Sequence, residues 1–233
     1  MALISANNIH RTFGTGDLVT HVLKGITLDV HAGDFMAIMG KSGAGKSTLM
    51  YQLSVLDRPT EGTLTINDIT VSELSEHEQT QFRLNTLGYI FQDYALVPDL
   101  SAGENVIVPL LMKNQSWEEA KRHAQDALTA VGLPDKYNNL PAQLSGGEQQ
   151  RVAVARTIAG NPKIIFADEP TANLDSISGN AIIDLLGHLN CNGQTIVMVT
   201  HEEEYTKYCN RLVYMEDGLV VKEEQNPNRC RVE

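Results

Sequence analysis

The sequence predicts an α/β fold with a largely parallel sheet, because strand-like and helix-like patterns alternate along the chain. Three short runs, at 35–39, 164–167 and 195–199, are almost wholly apolar, as strands buried on both faces of a sheet are. The chain has 233 residues, which is enough for one large domain that carries an inserted subdomain.

Further segments predict the elements around this sheet. Three N-terminal segments indicate an antiparallel β layer: 2–9, 21–30 and 62–71. A helical pattern at 48–56 follows the first buried strand. Near the C-terminus, Asp217-Gly218 separates two strand-like runs, and this dipeptide is a hairpin signal.

The middle of the chain predicts helices. Capping boxes begin at Ser101, Ser116 and Ser145, each with a glutamate three positions later. Ser116 introduces an alanine-rich amphipathic run. We therefore predict an α-helical subdomain at 93–159, inserted into an α/β core made of 1–92 and 160–233.

Composition excludes several classes of protein. Apolar residues make up 42% of the chain, mean hydropathy is −0.19, and no apolar run is long enough for a membrane helix. The N-terminus lacks the basic and apolar regions of a signal peptide, and the three separated cysteines favour a reducing compartment. A net charge of −11 argues against nucleic-acid binding. The tail from Gln225 is polar, and we expect it to be loosely held.

Residues 40–48 match the phosphate-loop pattern G-x-x-x-x-G-K-[ST], and they lie between a predicted strand and a predicted helix, as that motif requires. Its glycines let backbone N–H groups surround phosphates, Lys46 supplies a cation, and the Ser47 hydroxyl is suited to Mg²⁺. The predicted nucleotide-binding residues are Gly40, Lys41, Ser42, Gly43, Ala44, Gly45, Lys46, Ser47 and Thr48.

Two carboxylates follow the second buried strand. In phosphate-loop NTPases an acid at this position holds Mg²⁺, which is the predicted role of Asp168. Glu169 is placed to polarise a water that attacks the γ-phosphate. The alternative is that Asp168 only begins the next loop.

The predicted helix after Ser145 begins with Gly146 and Gly147, although glycine costs up to about 1 kcal/mol relative to alanine in a helix. A helix start without side chains exposes its N–H groups and therefore suits an anion. GTPases are not favoured, because the chain lacks N-K-x-D. Zinc is not favoured either, because the motif-like run from His201 lacks the second histidine of H-E-x-x-H.

Together these motifs resemble the nucleotide-binding subunits of ATP-binding-cassette (ABC) transporters. The run 144–148 resembles the family signature, with Glu148 where glutamine is commoner. Gln92 fits the Q-loop, Asp175 the D-loop and His201 the switch histidine, while Phe13 fits the adenine-stacking aromatic, where tyrosine is more usual. The resemblance covers essentially the whole chain.

The resemblance implies an ATPase that works as a head-to-tail homodimer with two sandwiched ATP molecules and Mg²⁺. Ser145, Gly146, Gly147, Glu148 and Asp175 would then act on the ATP held by the other copy. Lys46, Glu169, His201 and Gln92 would serve catalysis, and Ser47, Asp168 and Gln92 would serve the metal. It further implies an integral membrane subunit as partner, and hence a cytoplasmic protein on the inner face of the cell membrane.

Several runs of sequence look like the group that serves lipoprotein release and macrolide efflux. A soluble ABC ATPase of DNA repair, translation or cluster assembly is the alternative, and an idle docking module is a third. Single residues also have simpler interpretations: Gln92 as a polar loop residue, His201 as an ordinary strand-end histidine, Phe13 as core and Asp175 as a helix cap. The loop residues Leu96 and Val97 could dock the membrane subunit or fill the helical core.

Overall fold

The computed structural model describes residues 2–14 and 18–226, and within these ranges it contains two sheets and six α-helices. The larger sheet has six strands in the order β10-β9-β3-β8-β7-β6. All neighbours in it are parallel except β9 and β10, which form the hairpin predicted at Asp217-Gly218. Its strands are β3 (Phe35–Met39), β6 (Leu87–Ile90), β7 (Ile164–Asp168), β8 (Thr195–Val199), β9 (Arg211–Glu216) and β10 (Leu219–Gln225).

The smaller sheet is the antiparallel layer, with four strands in the order β2-β1-β4-β5. They are β1 (Ala2–Phe13), β2 (Thr20–His31), β4 (Glu61–Ile66) and β5 (Ile69–Thr70). The segment predicted at 62–71 lies in this layer but forms two strands, because Asn67 and Asp68 both have left-handed backbone angles (φ 50° and 64°) and turn the chain back on itself.

Six α-helices complete the described fold: α1 (Lys46–Leu53), α2 (Glu76–Thr86), α3 (Ala102–Met112), α4 (Trp117–Ala130), α5 (Gly146–Ala159) and α6 (Ser176–Cys191). The three capping boxes predicted for α3, α4 and α5 are present. Helix α2 was missed, although Ser75 and Glu78 form a capping box of the same kind. No helix within the described ranges is long and apolar enough to cross a bilayer.

The larger sheet is buried on both faces. Along β3, Phe35, Ala37 and Met39 belong to one apolar cluster with side chains of α3 to α6, whereas Met36 and Ile38 belong to another with side chains of α1 and the antiparallel layer. This alternation explains why the strand is apolar at every position.

The predicted fold class is therefore confirmed. The division into a core and an inserted helical unit stays a prediction, since one apolar cluster includes side chains of both parts. Gln225 ends β10, and the rest of the tail lies outside the described residues after Asn226.

Candidate active site

The predicted site residues converge at one edge of the larger sheet. The phosphate loop follows β3, Asp168 ends β7, and His201 comes soon after β8. These strands are neighbours in the order β3-β8-β7 and run parallel, so their carboxyl ends meet. Ligands bind at this edge in open α/β sheets.

The start of α1 differs from that of every other α-helix in the described part of the chain. Gly45, its N-cap residue, has a left-handed backbone (φ 95°) and gives the helix no side-chain cap. Each of α2 to α6 begins with a serine or aspartate whose side chain accepts a backbone N–H. The first N–H groups of α1 are therefore left without a side-chain partner, as a phosphate site requires.

Lys46 lies under the phosphate loop. Its residue is 7% exposed, and its Nζ donates to the carbonyl oxygens of Gly40 (2.8 Å) and Lys41 (3.0 Å). The loop's own carbonyls thus hold the ammonium group beside the open helix start. A phosphate there would meet both a cation and backbone N–H groups.

Asp168 is fixed by hydroxyl groups from two other elements. Ser47 Oγ lies 3.4 Å from its Oδ1, and the phenol of Tyr89 donates to its Oδ2 over 3.2 Å. Burial raises the pKa of the Asp168 carboxyl, the nearby Glu169 adds to this, and the two hydrogen bonds oppose it. Burial likewise raises the pKa of Tyr89, so its hydroxyl stays a donor at neutral pH.

Glu169 has a strained backbone with φ 43°, a left-handed angle that non-glycine residues seldom adopt. Its N–H donates to the carbonyl of Val199 at the end of β8 (3.0 Å). In this conformation its carboxylate lies 3.4 Å from Nδ1 of His201, whose side chain is 61% exposed. The predicted base and the switch histidine therefore face each other.

A cavity of about 330 Å³ joins these groups. It is lined by Val22, Ser42, Gly43, Gly45, Lys46, Ser47, Thr48, Glu169 and His201. The lining combines the phosphate loop with the predicted base and switch histidine. None of residues 144–148 lines it, although all of them are described.

The signature segment caps α5. Ser145 Oγ accepts the N–H of Glu148, and the Glu148 carboxylate accepts the N–H of Ser145 (2.8 Å) and binds Lys136 (3.0 Å). The N–H of Ser145 and the Lys136 ammonium lower the pKa of Glu148. Its side chain is thus engaged within its own chain.

The second glycine of this segment, Gly147, is explained by packing within the chain. A Cβ on Gly147 would come 2.8 Å from Oγ and 2.9 Å from Cβ of Ser178, on the first turn of α6. Such distances are too short for any side chain at this position. Packing of α5 on α6 therefore requires Gly147, a requirement that the anion argument alone did not predict.

Comparison with known proteins decides the family. The model of the ABC transporter family matches residues 23–172, which is more than half of the chain. This chain belongs to the ABC transporter family. It is an ATP-binding subunit of that family and an ATPase, as its motifs predicted.

Some curated relatives of this ABC ATPase match it over nearly their whole length, and others are longer proteins that match it over about a third of their length. An uncharacterised ABC transporter ATP-binding protein of Methanocaldococcus jannaschii is 46% identical, with 94% of this chain and 98% of the relative covered. The lipoprotein-releasing system ATP-binding protein LolD of Aquifex aeolicus is 47% identical, with 87% and 90% covered. The macrolide export ATP-binding/permease protein MacB of Bdellovibrio bacteriovorus is 44% identical over 96% of this chain, but the match spans only 34% of MacB.

Solved structures agree with the sequence matches. An ATP-binding cassette in a dimeric post-hydrolysis state with ADP and Pi superposes with a TM-score of 0.89 at 40% identity. It covers 97% of this chain and 99% of that one. The ABC ATPase fold is therefore shown over nearly the whole length.

Phe13 of this ABC subunit is not a core residue. It is 44% exposed, and the guanidinium of Arg11 lies 4.4 Å from its ring centroid. Arg11 is itself paired with Asp57 at 2.7 Å. One face of the ring is thus held by a fixed cation, and Phe13 stays a predicted adenine-stacking residue although it does not line the phosphate cavity.

Gln92 lies in an exposed loop, and its side chain does not reach the cavity lining. Its carbonyl accepts Nδ2 of Asn173 (3.0 Å), and Tyr94 Oη donates to the carbonyl of Asn173 (3.3 Å). Arg156 donates to the carbonyls of Tyr94 and Ala95, both of which have left-handed backbones. The sequence did not reveal these contacts, which bind the Q-loop to the D-loop and to α5.

Asp175 is the helix cap that the simpler interpretation expected. Its Oδ1 accepts the N–H groups of Ile177 and Ser178 (both 3.0 Å), and its Oδ2 accepts the Ser178 hydroxyl. These hydrogen bonds lower the pKa of Asp175. A role across a dimer interface would come in addition to this cap.

Proposed function

We propose that this ABC ATPase powers a separate membrane subunit through ATP-dependent dimerisation. The supporting observation is the incomplete cavity, whose lining holds the phosphate loop, Glu169 and His201 but no signature residue. Transfer of a phosphoryl group needs charge stabilisation on all sides. A second copy would supply the missing side with Ser145, Gly146, Gly147 and Glu148, as dimeric relatives suggest.

Each residue of the cavity has a role in this scheme. The phosphate loop and Lys46 bind the phosphates, and Phe13 stacks on adenine. Glu169 takes a proton from the attacking water or orients it, because its fixed left-handed backbone points the carboxylate into the cavity toward His201. His201 contacts the γ-phosphate, and Asp175 links the two sites across the interface.

The oxygen groups of Ser47 and Asp168 fit a magnesium ion. They lie 3.4 Å apart, and oxygen is the ligand type that Mg²⁺ prefers. Within the described ranges no group of three or more His, Cys, Asp or Glu side chains could hold a metal, so this ion would depend on the ATP phosphates for further ligands. When bound, Mg²⁺ would neutralise charge on the phosphates, and Gln92 would sense it after a movement of its loop.

ATP holds the two copies together in this scheme, because each triphosphate contacts both. Hydrolysis removes the γ-phosphate that the signature helix of the partner binds. The dimer then opens, and this opening is the mechanical step that a membrane subunit can use. Such a subunit places this ATPase on the cytoplasmic face of the membrane.

The names of the relatives favour transport over a soluble role in DNA repair or translation. LolD is named for lipoprotein release, and MacB joins an ATP-binding part to a permease in one chain. We propose the same class of work here, with the transmembrane part on another chain.

A groove of about 300 Å³ is a suitable seat for an apolar cytoplasmic segment of that membrane subunit. It lies between β6 and helices α3 and α5. Val97, which is 47% exposed, lines this groove together with Val108 and Pro109, whereas Leu96 is partly buried and packs against the apolar core. Docking of the membrane subunit therefore suits Val97, and packing against the core suits Leu96.

Replacement Glu169→Gln tests the proposal. The variant keeps the size of the side chain and all binding groups but removes the base, so ATP should bind while turnover falls by about 100-fold or more. An ATP-bound dimer should then accumulate, which light scattering would show as a doubled mass with Mg-ATP.

Glu204→Gln is the matched control. This replacement makes the same chemical change at an exposed residue three positions after His201, and the variant should keep wild-type turnover. A Glu169→Gln protein that remains monomeric with saturating Mg-ATP would contradict the ATP-sandwich proposal.

A further inference from the structure

Tyr89 holds the predicted metal-binding acid but belongs to none of the recognised motifs. It lies in β6, where it pairs with Phe166 of the parallel strand β7. Asp168 follows Phe166 by two residues on β7, and residues two apart point to the same face of a sheet. The register therefore brings the Tyr89 phenol to the Asp168 carboxylate, where it donates to Oδ2 over 3.2 Å.

The ring of Tyr89 is fixed by aromatic neighbours on β7, on α1 and at the start of the loop after β6. Its centroid lies 4.3 Å from that of Phe91, 6.4 Å from Phe166 and 6.3 Å from Tyr51. Tyr51 belongs to α1, the helix that also carries Lys46 and Ser47. A ring held in this way has little freedom, so its hydroxyl is a fixed donor.

The two oxygens of Asp168 are thus divided between two hydroxyl groups. Ser47 lies beside Oδ1, and Tyr89 occupies one direction at Oδ2. A carboxylate offers about four lone-pair directions, so it can accept both hydrogen bonds and still face a cation. Without the Tyr89 hydroxyl, Oδ2 would lose this hydrogen-bond donor, and the carboxylate could rotate.

We propose that Tyr89 is a positioning residue for metal-dependent ATP binding, because its hydroxyl fixes the Asp168 carboxylate in the orientation that faces Ser47. This inference rests on the proposed role of Ser47 and Asp168 in holding Mg²⁺ with ATP. Outer-shell partners of this kind typically change metal affinity about 10–100-fold.

The test is Tyr89→Phe, which removes the hydroxyl and keeps all three ring contacts. Both parent and variant carry Glu169→Gln, so that ATP is not consumed. Free Mn²⁺ is measured by electron paramagnetic resonance while Mn²⁺ is titrated into protein with ATP. We expect the half-saturating Mn²⁺ concentration to rise about 10-fold, while ATP affinity measured in EDTA stays unchanged.

Tyr51→Phe is the matched control, because the ring of Tyr51 belongs to the same cluster and, among the described residues, its hydroxyl makes no hydrogen bond to Asp168. It should leave Mn²⁺ affinity unchanged. All titrations are run well below the lowest melting temperature of the set, so that a loss of stability does not imitate a loss of metal.

Each further outcome decides either the positioning role of Tyr89 or the proposed metal site. Equal Mn²⁺ affinity in parent and Tyr89→Phe would overturn the positioning role, and so would an equal loss in Tyr51→Phe. A loss of ATP affinity in EDTA as large as the loss in Mn²⁺ would indicate a merely structural role. If the parent itself showed no metal-dependent ATP binding, the proposed metal site would fail instead.

Discussion

At the scale of single residues, Asp34 shows how a buried charge is stabilised in this molecule. Its side chain is 8% exposed and accepts hydrogen bonds from Arg211 (2.9 Å), from Nδ2 of Asn210 (3.0 Å) and from the N–H of His31 (2.8 Å). Burial raises the pKa of Asp34, but the hydrogen bonds and the Arg211 charge outweigh it, so the pKa lies below its ordinary value. The carboxylate ties the start of β3 to β9.

Replacement Asp34→Asn should lower the free energy of unfolding by about 1–3 kcal/mol at pH 7, because it removes the buried partner of Arg211 and leaves that guanidinium only the more exposed Glu223. Since the folded-state pKa is depressed, this stabilisation is present above the unfolded-state pKa of about 3.9 and is lost as the pH falls through the folded value. The gap in unfolding free energy between wild type and variant, measured by urea unfolding, should therefore narrow below about pH 4. Asp29→Asn, at an exposed carboxylate, is the control, and a gap that widens on acidification would contradict this explanation.

The position of the candidate site residues in the fold was predictable where a motif fixes it, whereas their roles stay predictions. The places of Lys46, Asp168, Glu169 and His201 agree with the expectation, because phosphate chemistry demands those groups at the ends of neighbouring strands. Tyr89 was not predicted. Its contact depends on the pairing register of two strands far apart in the chain, which no local pattern reveals.

At the scale of elements, the packing of α5 on α6 explains the second signature glycine. Gly147 faces Ser178, and no side chain fits between them. The starts of α5 and α6 therefore pack closely against each other, and the signature segment lies beside the Asp175 cap.

Replacement Gly147→Ala should destabilise the ATP-free protein by about 1–3 kcal/mol, although alanine is the better helix former, because the methyl group overlaps Ser178. Ser178→Gly should recover much of this loss, and a double-mutant cycle in urea unfolding measures the coupling. Gly146→Ala is the control, since Gly146 faces Tyr94 instead, and Ser178→Gly should not rescue it. A cycle without coupling at Gly147 would show that packing between α5 and α6 is not the reason for this glycine.

Elements were predictable where a pattern repeats and less so where a turn intervenes. The buried strands and the capped helices α3, α4 and α5 follow from apolar runs and capping boxes. The turn at Asn67-Asp68 was missed, although these two consecutive polar residues interrupt the alternation between Ile66 and Ile69. Helix α2 was missed because few of its side chains are buried, so that it lacks a strong apolar period.

At the scale of the whole molecule, the cavity of one chain holds the phosphate loop, Glu169 and His201 but no signature residue. The cavity faces the loops after β3, β7 and β8, while Ser145 caps another helix outside its lining. The fold itself was predictable, since a parallel sheet covered on both faces leaves a strong apolar signal. That the signature lies outside the cavity of its own chain was implied only by the family resemblance, because this separation depends on tertiary packing that no local pattern shows.

The most direct test of completion by a second copy mixes two inactive variants, Lys46→Ala and Ser145→Asp. Aspartate still caps a helix, so α5 should begin as before, but its charge would repel the phosphate of the other copy. Ser145→Asn, a neutral cap, is the control and should remain active. If the site forms between copies, a mixed dimer pairs the intact Lys46 of one chain with the intact signature of the other.

ATPase activity is measured for each variant alone and for their equal mixture. We predict that the mixture hydrolyses ATP faster than the sum of the two separate preparations, because each mixed dimer contains one complete site. Activity equal to that sum, with mixed dimers shown to form, would contradict a site shared between two copies.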